Sequence, residues 1–298
     1  MVDMFPVLRV LGILIMVFAL TMGLPLSVSW FLQDGVWQVY PLAMLCTLAF
    51  GFGLWSSMRL FRRELQPRHG VMLVTLVWVV MPAYASLPLL FTVQGISFTD
   101  AYFEAVSGLT ATGATALAGL DLLAPSVNIW RCFLQLIGGL GIMLLAVAIL
   151  PFLGLGGAQL YKAEMPGPMK EQRLTPRLAE TARGLWGVYV VLSLGCFRAY
   201  RAGGMTWSDA FMHMCTTVGL GGMSSHDQSF GYWNAPHLEW AAVLFMGLSG
   251  ISFARYFMLW RQRSLSPVPR DTYVLPLMLT LLLRTPHVFE MPSMGSVM

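Results

Sequence analysis

Two stretches of the chain repeat each other 109 residues apart, with no gap needed to lay one on the other. The first runs Ser97-Phe98-Thr99-Asp100-Ala101-Tyr102 and continues to Thr110-Ala111-Thr112-Gly113-Ala114-Thr115. The second runs Thr206-Trp207-Ser208-Asp209-Ala210-Phe211 and continues to Gly219-Leu220-Gly221-Gly222-Met223-Ser224. The register extends further, so that Gly138, Gly141 and Ile142 fall on Gly247, Gly250 and Ile251. Any fold must therefore build the same unit twice: an apolar helix, a short helix, a glycine-containing turn and a second apolar helix.

The solvent of that unit follows from composition. Of 298 residues, 57% are hydrophobic and 11% charged, against roughly 25% charged in a soluble globular chain. Apolar runs near 5–31, 37–58, 71–92, 128–152, 184–203 and 237–260 approach the roughly 20 residues that cross a hydrocarbon core. The expected class is all-α and polytopic, with the lipid bilayer as its surroundings. The first run is too long for a signal peptide and has little positive charge before it, so it reads as a span. Pro82 and Pro88 in the third run predict kinks.

Segments 100–110 and 209–218 are too short to cross. Asp100 and Asp209 are read as their N-caps. A short helix followed by irregular backbone at membrane depth is a re-entrant loop, tolerated where it is buried in protein or lines a watery cavity.

Basic residues set the orientation. Arg59, Arg62, Arg63 and Arg68 lie in 59–69; Lys162, Lys170, Arg173, Arg177 and Arg183 in 157–183; Arg261, Arg263 and Arg270 in 261–270. These loops are expected on the cytoplasmic side. That puts the N-terminus inside and lets both re-entrant segments enter from outside. The net charge of +4 is small and most basic residues sit in loops, which speaks of membrane orientation and not of nucleic acid. Arg198 and Arg201, near the outer end of the fifth run, read as snorkelling to the interface.

The turns carry the chemistry. A ring of backbone carbonyls can replace the water shell of a dehydrated cation, and glycine permits the backbone geometry that turns carbonyls inward. The candidate ion-binding residues are Thr110, Ala111, Thr112 and Gly113, with Gly219, Leu220, Gly221 and Gly222. The short helices would aim their partly negative C-terminal ends at the same place. Gly138, Gly139, Gly141, Gly247 and Gly250, inside full spans, read as close helix packing. Enzymatic chemistry is not expected. Glu104, His213, His226 and Asp227 lack any nucleophile or metal-ligand spacing, and His226 and Asp227 read as a solvated outer mouth. Cys46, Cys132, Cys196 and Cys215 form neither a disulfide framework nor a metal site. No cofactor is expected, and no metal beyond the transported ion.

The string Phe103-Glu104-Ala105-Val106-Ser107-Gly108-Leu109-Thr110-Ala111-Thr112-Gly113-Ala114-Thr115 resembles the first filter segment of Trk-type bacterial potassium uptake proteins, of the Trk/Ktr/HKT superfamily. The likeness continues through Gly138-Gly139-Leu140-Gly141-Ile142, Ala146 to Pro151, and Leu174-Thr175-Pro176-Arg177. It is clearest at Gln159-Leu160-Tyr161-Lys162-Ala163-Glu164-Met165-Pro166-Gly167-Pro168, and returns from Gly221-Gly222 to Ser225-His226-Asp227.

The resemblance implies potassium transport across a bacterial inner membrane, passive or by symport. It implies four such repeats around one pore, a homodimer, and a cytosolic nucleotide-binding subunit that gates it. The chain departs from the family pattern at Gly219-Leu220, where a small polar pair is usual, and at Met223, where Phe is. Its expected organisation is two leading helices (1–69), a first pore repeat (70–156), a cytoplasmic loop (157–183), a second pore repeat (184–263) and an atypical tail (264–298). The likeness is expected to end near Arg263, after two of four repeats. The competing expectation is therefore a truncated, non-conducting fragment that needs the other repeats or a full-length partner.

Overall fold

A computed structural model describes residues 4–59, 67–149, 174–251 and 256. The tail 264–298, and the basic residues at 62–63, 162–173 and 261–270, lie outside them. The described residues form ten α-helices, α1 (Phe5–Thr21), α2 (Gly23–Leu32), α3 (Val39–Met58), α4 (Pro67–Ala85), α5 (Leu87–Thr92), α6 (Phe98–Leu109), α7 (Pro125–Ile149), α8 (Leu174–Ala202), α9 (Trp207–Val218) and α10 (Pro236–Gly250). Two short 3₁₀ turns, Leu120–Leu122 and Ser229–Tyr232, follow the two glycine turns. No strand occurs among the described residues.

Among the described residues, three stretches are long and apolar enough to cross a membrane, Phe5–Leu32, Val39–Met58 and His69–Thr92. Two of them are broken. Met22 separates α1 from α2, where Pro25 cannot donate to the Thr21 carbonyl. Ser86 separates α4 from α5, with Pro82 inside α4 and Pro88 in the first turn of α5. Within the described residues, the expected runs at 128–152, 184–203 and 237–260 fall on α7, α8 and α10.

The largest difference from expectation is at α8. Residues 174–183, read as loop, are already helical. Charge disguised the helix start, but Pro176 sits in its first turn, where a missing N–H removes no helical bond.

α7 is the organiser. It packs on both short helices, α6 and α9, and also on α2 and α8. On one side Gly108 of α6 presses on Leu134, and a Cβ on Gly138 would collide with the Leu109 carbonyl. On the other, a Cβ on Gly139 would lie 3.2 Å from the Gly219 Cα. The glycines of α7 thus let it approach the C-terminal ends of both short helices. Gly141 faces open space. A similar close approach joins α1 to α3, where Gly12 and Gly51 leave no room for each other's Cβ.

Buried apolar residues form two main clusters. One gathers Phe18, Met22, Ala43, Ala105, Leu109, Trp130 and Leu134 around the first short helix. The other gathers Cys132, Tyr189, Cys196, Tyr200, Cys215, Val218 and Met223 around the second. The cysteines Cys132, Cys196 and Cys215 are free and buried, acting as small apolar groups. Trp130 donates its indole N–H to the Ala85 carbonyl at 2.9 Å, tying α7 to the end of α4.

Candidate functional site

Each short helix begins with a reciprocal cap. Ser97 and Thr206 occupy the N-cap positions, so Asp100 and Asp209 are not the N-caps that their sequence position suggested. They stand three residues later. The Asp100 amide donates to Ser97 Oγ at 3.1 Å while that hydroxyl donates to the Asp100 carboxylate at 2.7 Å. Asp209 and Thr206 repeat both bonds at the same lengths. The first bond is that of a capping box with Asp in the Glu position; in the second, the carboxylate takes the N-cap hydroxyl and not the N-cap amide.

The helices also end alike. In α6 the Thr112 amide reaches back to the Ser107 carbonyl at 2.9 Å, and the Ala111 amide to Gly108 at 3.0 Å. In α9 Gly221 reaches Thr216 at 2.9 Å, and Leu220 reaches Thr217 at 3.2 Å. These paired bonds define the Schellman stop, whose left-handed residue is usually glycine. Here it is Ala111 (φ 54°) and Leu220 (φ 57°). Gly113 (φ 80°) and Gly222 (φ 83°) come two residues later and supply a second left-handed turn. Each turn therefore reverses twice, and the sequence shows only the second reversal as glycine.

The two turns touch. A Cβ on Gly113 would collide with the carbonyl oxygen of Gly221. Thr110 caps α6, donates its hydroxyl to the Val106 carbonyl at 2.8 Å and lies 2.7 Å from the Thr112 hydroxyl. Thr112, Leu220 and Gly222 are exposed, while Gly219 is buried against the Gln135 carbonyl. All eight predicted ion-binding residues thus lie in two adjoining strips at the C-terminal ends of α6 and α9. At those ends the last helical carbonyls give a partly negative field.

Behind the strips stand residues that the sequence reading left without a role. Glu104 and Arg131 are sealed from solvent and paired, Nε to Oε1 at 2.7 Å. Glu104 also accepts from Thr115 Oγ1 at 3.0 Å and from the Ala116 amide at 3.0 Å, just past the first turn. Arg131 donates to Asn128 Oδ1 at 2.9 Å and to Thr115 Oγ1 at 3.0 Å. The second repeat places His213 and Ser224 in register with Glu104 and Thr115, their Nε2 and Oγ 3.2 Å apart. Asn128 joins the halves, donating to the Leu120 carbonyl at 2.7 Å and to the Ser225 carbonyl at 3.3 Å. Only the repeat register could have linked Glu104 to His213 in advance, because neither pair forms a local motif.

The loops that follow the two turns interlock. Asp227 accepts from the Gly119 and Leu120 amides at 3.1 and 3.2 Å, so it holds backbone together. His226 is hydrogen-bonded through Nδ1 to Asp121, lies 3.3 Å through Nε2 from Asp209 Oδ1, and stacks on Tyr232 at 3.7 Å. The His226 hydrogen bond lowers the Asp121 carboxyl below its ordinary value of 3.8. Asp209 also accepts from Ser225 Oγ at 2.9 Å. Arg201 is folded back, donating to the Met205 carbonyl with its guanidinium 4.5 Å above the Trp207 ring.

Comparison with known proteins gives the same arrangement a lineage. The model of the TrkH family, described as a cation transport protein, matches residues 38–281, past the expected limit at Arg263. The Trk system potassium uptake protein TrkH of Halomonas elongata is 44% identical over 276 residues, covering 92% of this chain and 57% of that protein. TrkH of Escherichia coli K12 is 42% identical over 264 residues, covering 88% of this chain and 55% of that protein. The crystal structure of the potassium transporter TrkH from Vibrio parahaemolyticus superposes with a TM-score of 0.76 at 36% identity, covering 87% of this chain and 52% of that one. The chain thus spans about half the length of the curated relatives it matches. By the extent of these matches, the chain belongs to the TrkH family of membrane cation transport proteins.

Proposed function

We propose that the strips Thr110–Gly113 and Gly219–Gly222 are two quadrants of a potassium filter, and that the chain serves as the translocating part of a Trk-type uptake system in a bacterial inner membrane. The observation that carries this is the meeting of Gly113 and Gly221 at the C-terminal ends of two identically capped and identically terminated helices. Carbonyls at that meeting point replace part of an ion's hydration, and the two helix ends favour positive charge there. Transport is passive or coupled to a second cation gradient. The arginine-bearing loops support a cytoplasmic N-terminus. A homodimer and a cytosolic nucleotide-binding gating subunit complete the proposed assembly.

Growth of an uptake-deficient bacterium at low potassium tests the reading. Expression of the chain restores growth, and Gly113→Asp or Gly222→Asp abolishes it. A second reading rests on the half-length match to the relatives. Two quadrants leave an ion open on its remaining sides, so the chain would insert but conduct only with the other repeats or a full-length partner. Growth restored only on co-expression with such a partner selects that reading.

A further inference from the structure

Gln135 projects from the middle of α7 and is fully buried between the two strips. Its Oε1 accepts the Met223 amide at 3.2 Å, from the residue that follows Gly222. The flat of its amide lies where a Cβ on Gly221 would be, and its Nε2 would be 3.6 Å from a Cβ on Gly113. Nε2 is buried and has no hydrogen-bond partner. Gly221 does not have a left-handed φ. Its lack of a side chain is therefore explained by Gln135 and not by backbone conformation.

The bond to Met223 has a directional consequence. The Gly222–Met223 peptide is trans and planar, so its N–H and C=O point opposite ways. Drawing the Met223 N–H back toward α7 turns the Gly222 carbonyl away from α7. We propose that Gln135 is the positioning residue that aims the Gly222 carbonyl at the ion, and thereby sets the ion preference of the second strip. This rests on the filter reading above. The repeats are unequal here. The register mate of Met223 is Ala114, whose carbonyl accepts from Ser107 Oγ at 2.6 Å, and the register mate of Gln135 is Leu244. Among the described residues, only the second strip is held from a helix of the other repeat in this way.

The test uses the purified full chain in detergent, titrated separately with potassium and sodium chloride while thermal unfolding is followed. Gln135→Met keeps length and approximate volume but removes the oxygen acceptor; Gln135→Glu keeps an oxygen in place. The expected result is a wild-type chain stabilised by potassium at lower concentration than by sodium. In Gln135→Met that preference falls about tenfold, the equivalent of roughly one lost hydrogen bond, and Gln135→Glu regains at least part of it. Exchange of the Met223 amide with deuterium is followed in parallel, and it quickens in Gln135→Met. A potassium response with unchanged preference in Gln135→Met overturns the role of Gln135 while leaving the filter reading intact. A wild-type chain indifferent to both ions overturns the reading that this chain binds the ion by itself, and the ion preference assigned to Gln135 with it. Unchanged Met223 exchange in Gln135→Met overturns the carbonyl-aiming mechanism whatever the ions do.

Discussion

Arg131 and Glu104 form an ion pair that is shut away from solvent, with Nε 2.7 Å from Oε1. Their further bonds reach Thr115 and Ala116, just past the first turn, and Asn128, one turn back along α7. Removing one partner leaves a buried charge unmatched, a change worth about 3–5 kcal/mol. Arg131→Met is therefore expected to lower the unfolding temperature of the detergent-solubilised chain sharply. Glu104→Gln combined with Arg131→Met should recover part of the loss. If the single variant melts with the wild type, the pair has no structural role.

The two turn glycines differ in what a methyl group would meet. At Gly113 it strikes the Gly221 carbonyl; at Gly222 it meets nothing within 4 Å. Gly222→Ala is expected to cost about 1–2 kcal/mol, the left-handed penalty alone. Gly113→Ala should cost more, because the neighbouring strip must also move. Ala111→Gly relieves a similar left-handed penalty but adds about 1 kcal/mol of chain freedom to the unfolded state, so its net effect is small. Equilibrium unfolding of the three variants ranks them.

The N-terminal caps predict a second asymmetry. Ser97→Ala and Thr206→Ala should each destabilise by about 1 kcal/mol. Asp100→Asn and Asp209→Asn should not match. Asp209 also accepts from Ser225 and faces His226 at 3.3 Å, whereas Asp100 bonds within its own cap. Asp209→Asn is expected to lower the unfolding temperature more than Asp100→Asn, and equal shifts would count against the cross-loop contacts.

Acid should unlatch the loops that follow the two turns. The Asp121 carboxyl is held below 3.8, first by the hydrogen bond from His226. A group whose folded value is depressed stabilises the fold above its unfolded value and loses that contribution as pH falls through the folded one. The Asp227 amide, which donates to Asp121 Oδ2 at 3.3 Å, reports on the latch. Its exchange protection, corrected for intrinsic rates, should hold above pH 3.8 and fall below it. Asp121→Asn should lose that acid step.

The sequence disclosed this fold unevenly, for physical reasons. Helices α3, α6 and α9 were legible because long apolar runs and capped short segments leave local marks. The break at Met22 was not, because Gly23 and Pro25 are common in spans that continue. The start of α8 was hidden by its charges. At the site, Gly113 and Gly222 announced themselves through residue type. Ala111 and Leu220 did not, since a left-handed alanine or leucine carries no signature of its own. Asn128, Arg131 and Gln135 lie on one helix, at positions whose meaning depends on which chain segments come to rest against them. The cap assignment shifted three residues because serine and threonine compete with aspartate for the same place, and both ended up sharing the task.

The Schellman stops of α6 and α9 are wound from bonds that never leave the helix and its own turn. Such a bend carries its own template and can be copied intact into any number of repeats. Mutations elsewhere in a copy are then free to alter where the bend is aimed while leaving its curvature alone. Two repeats of one molecule can in this way drift apart in what their turns face and still be superimposable in shape.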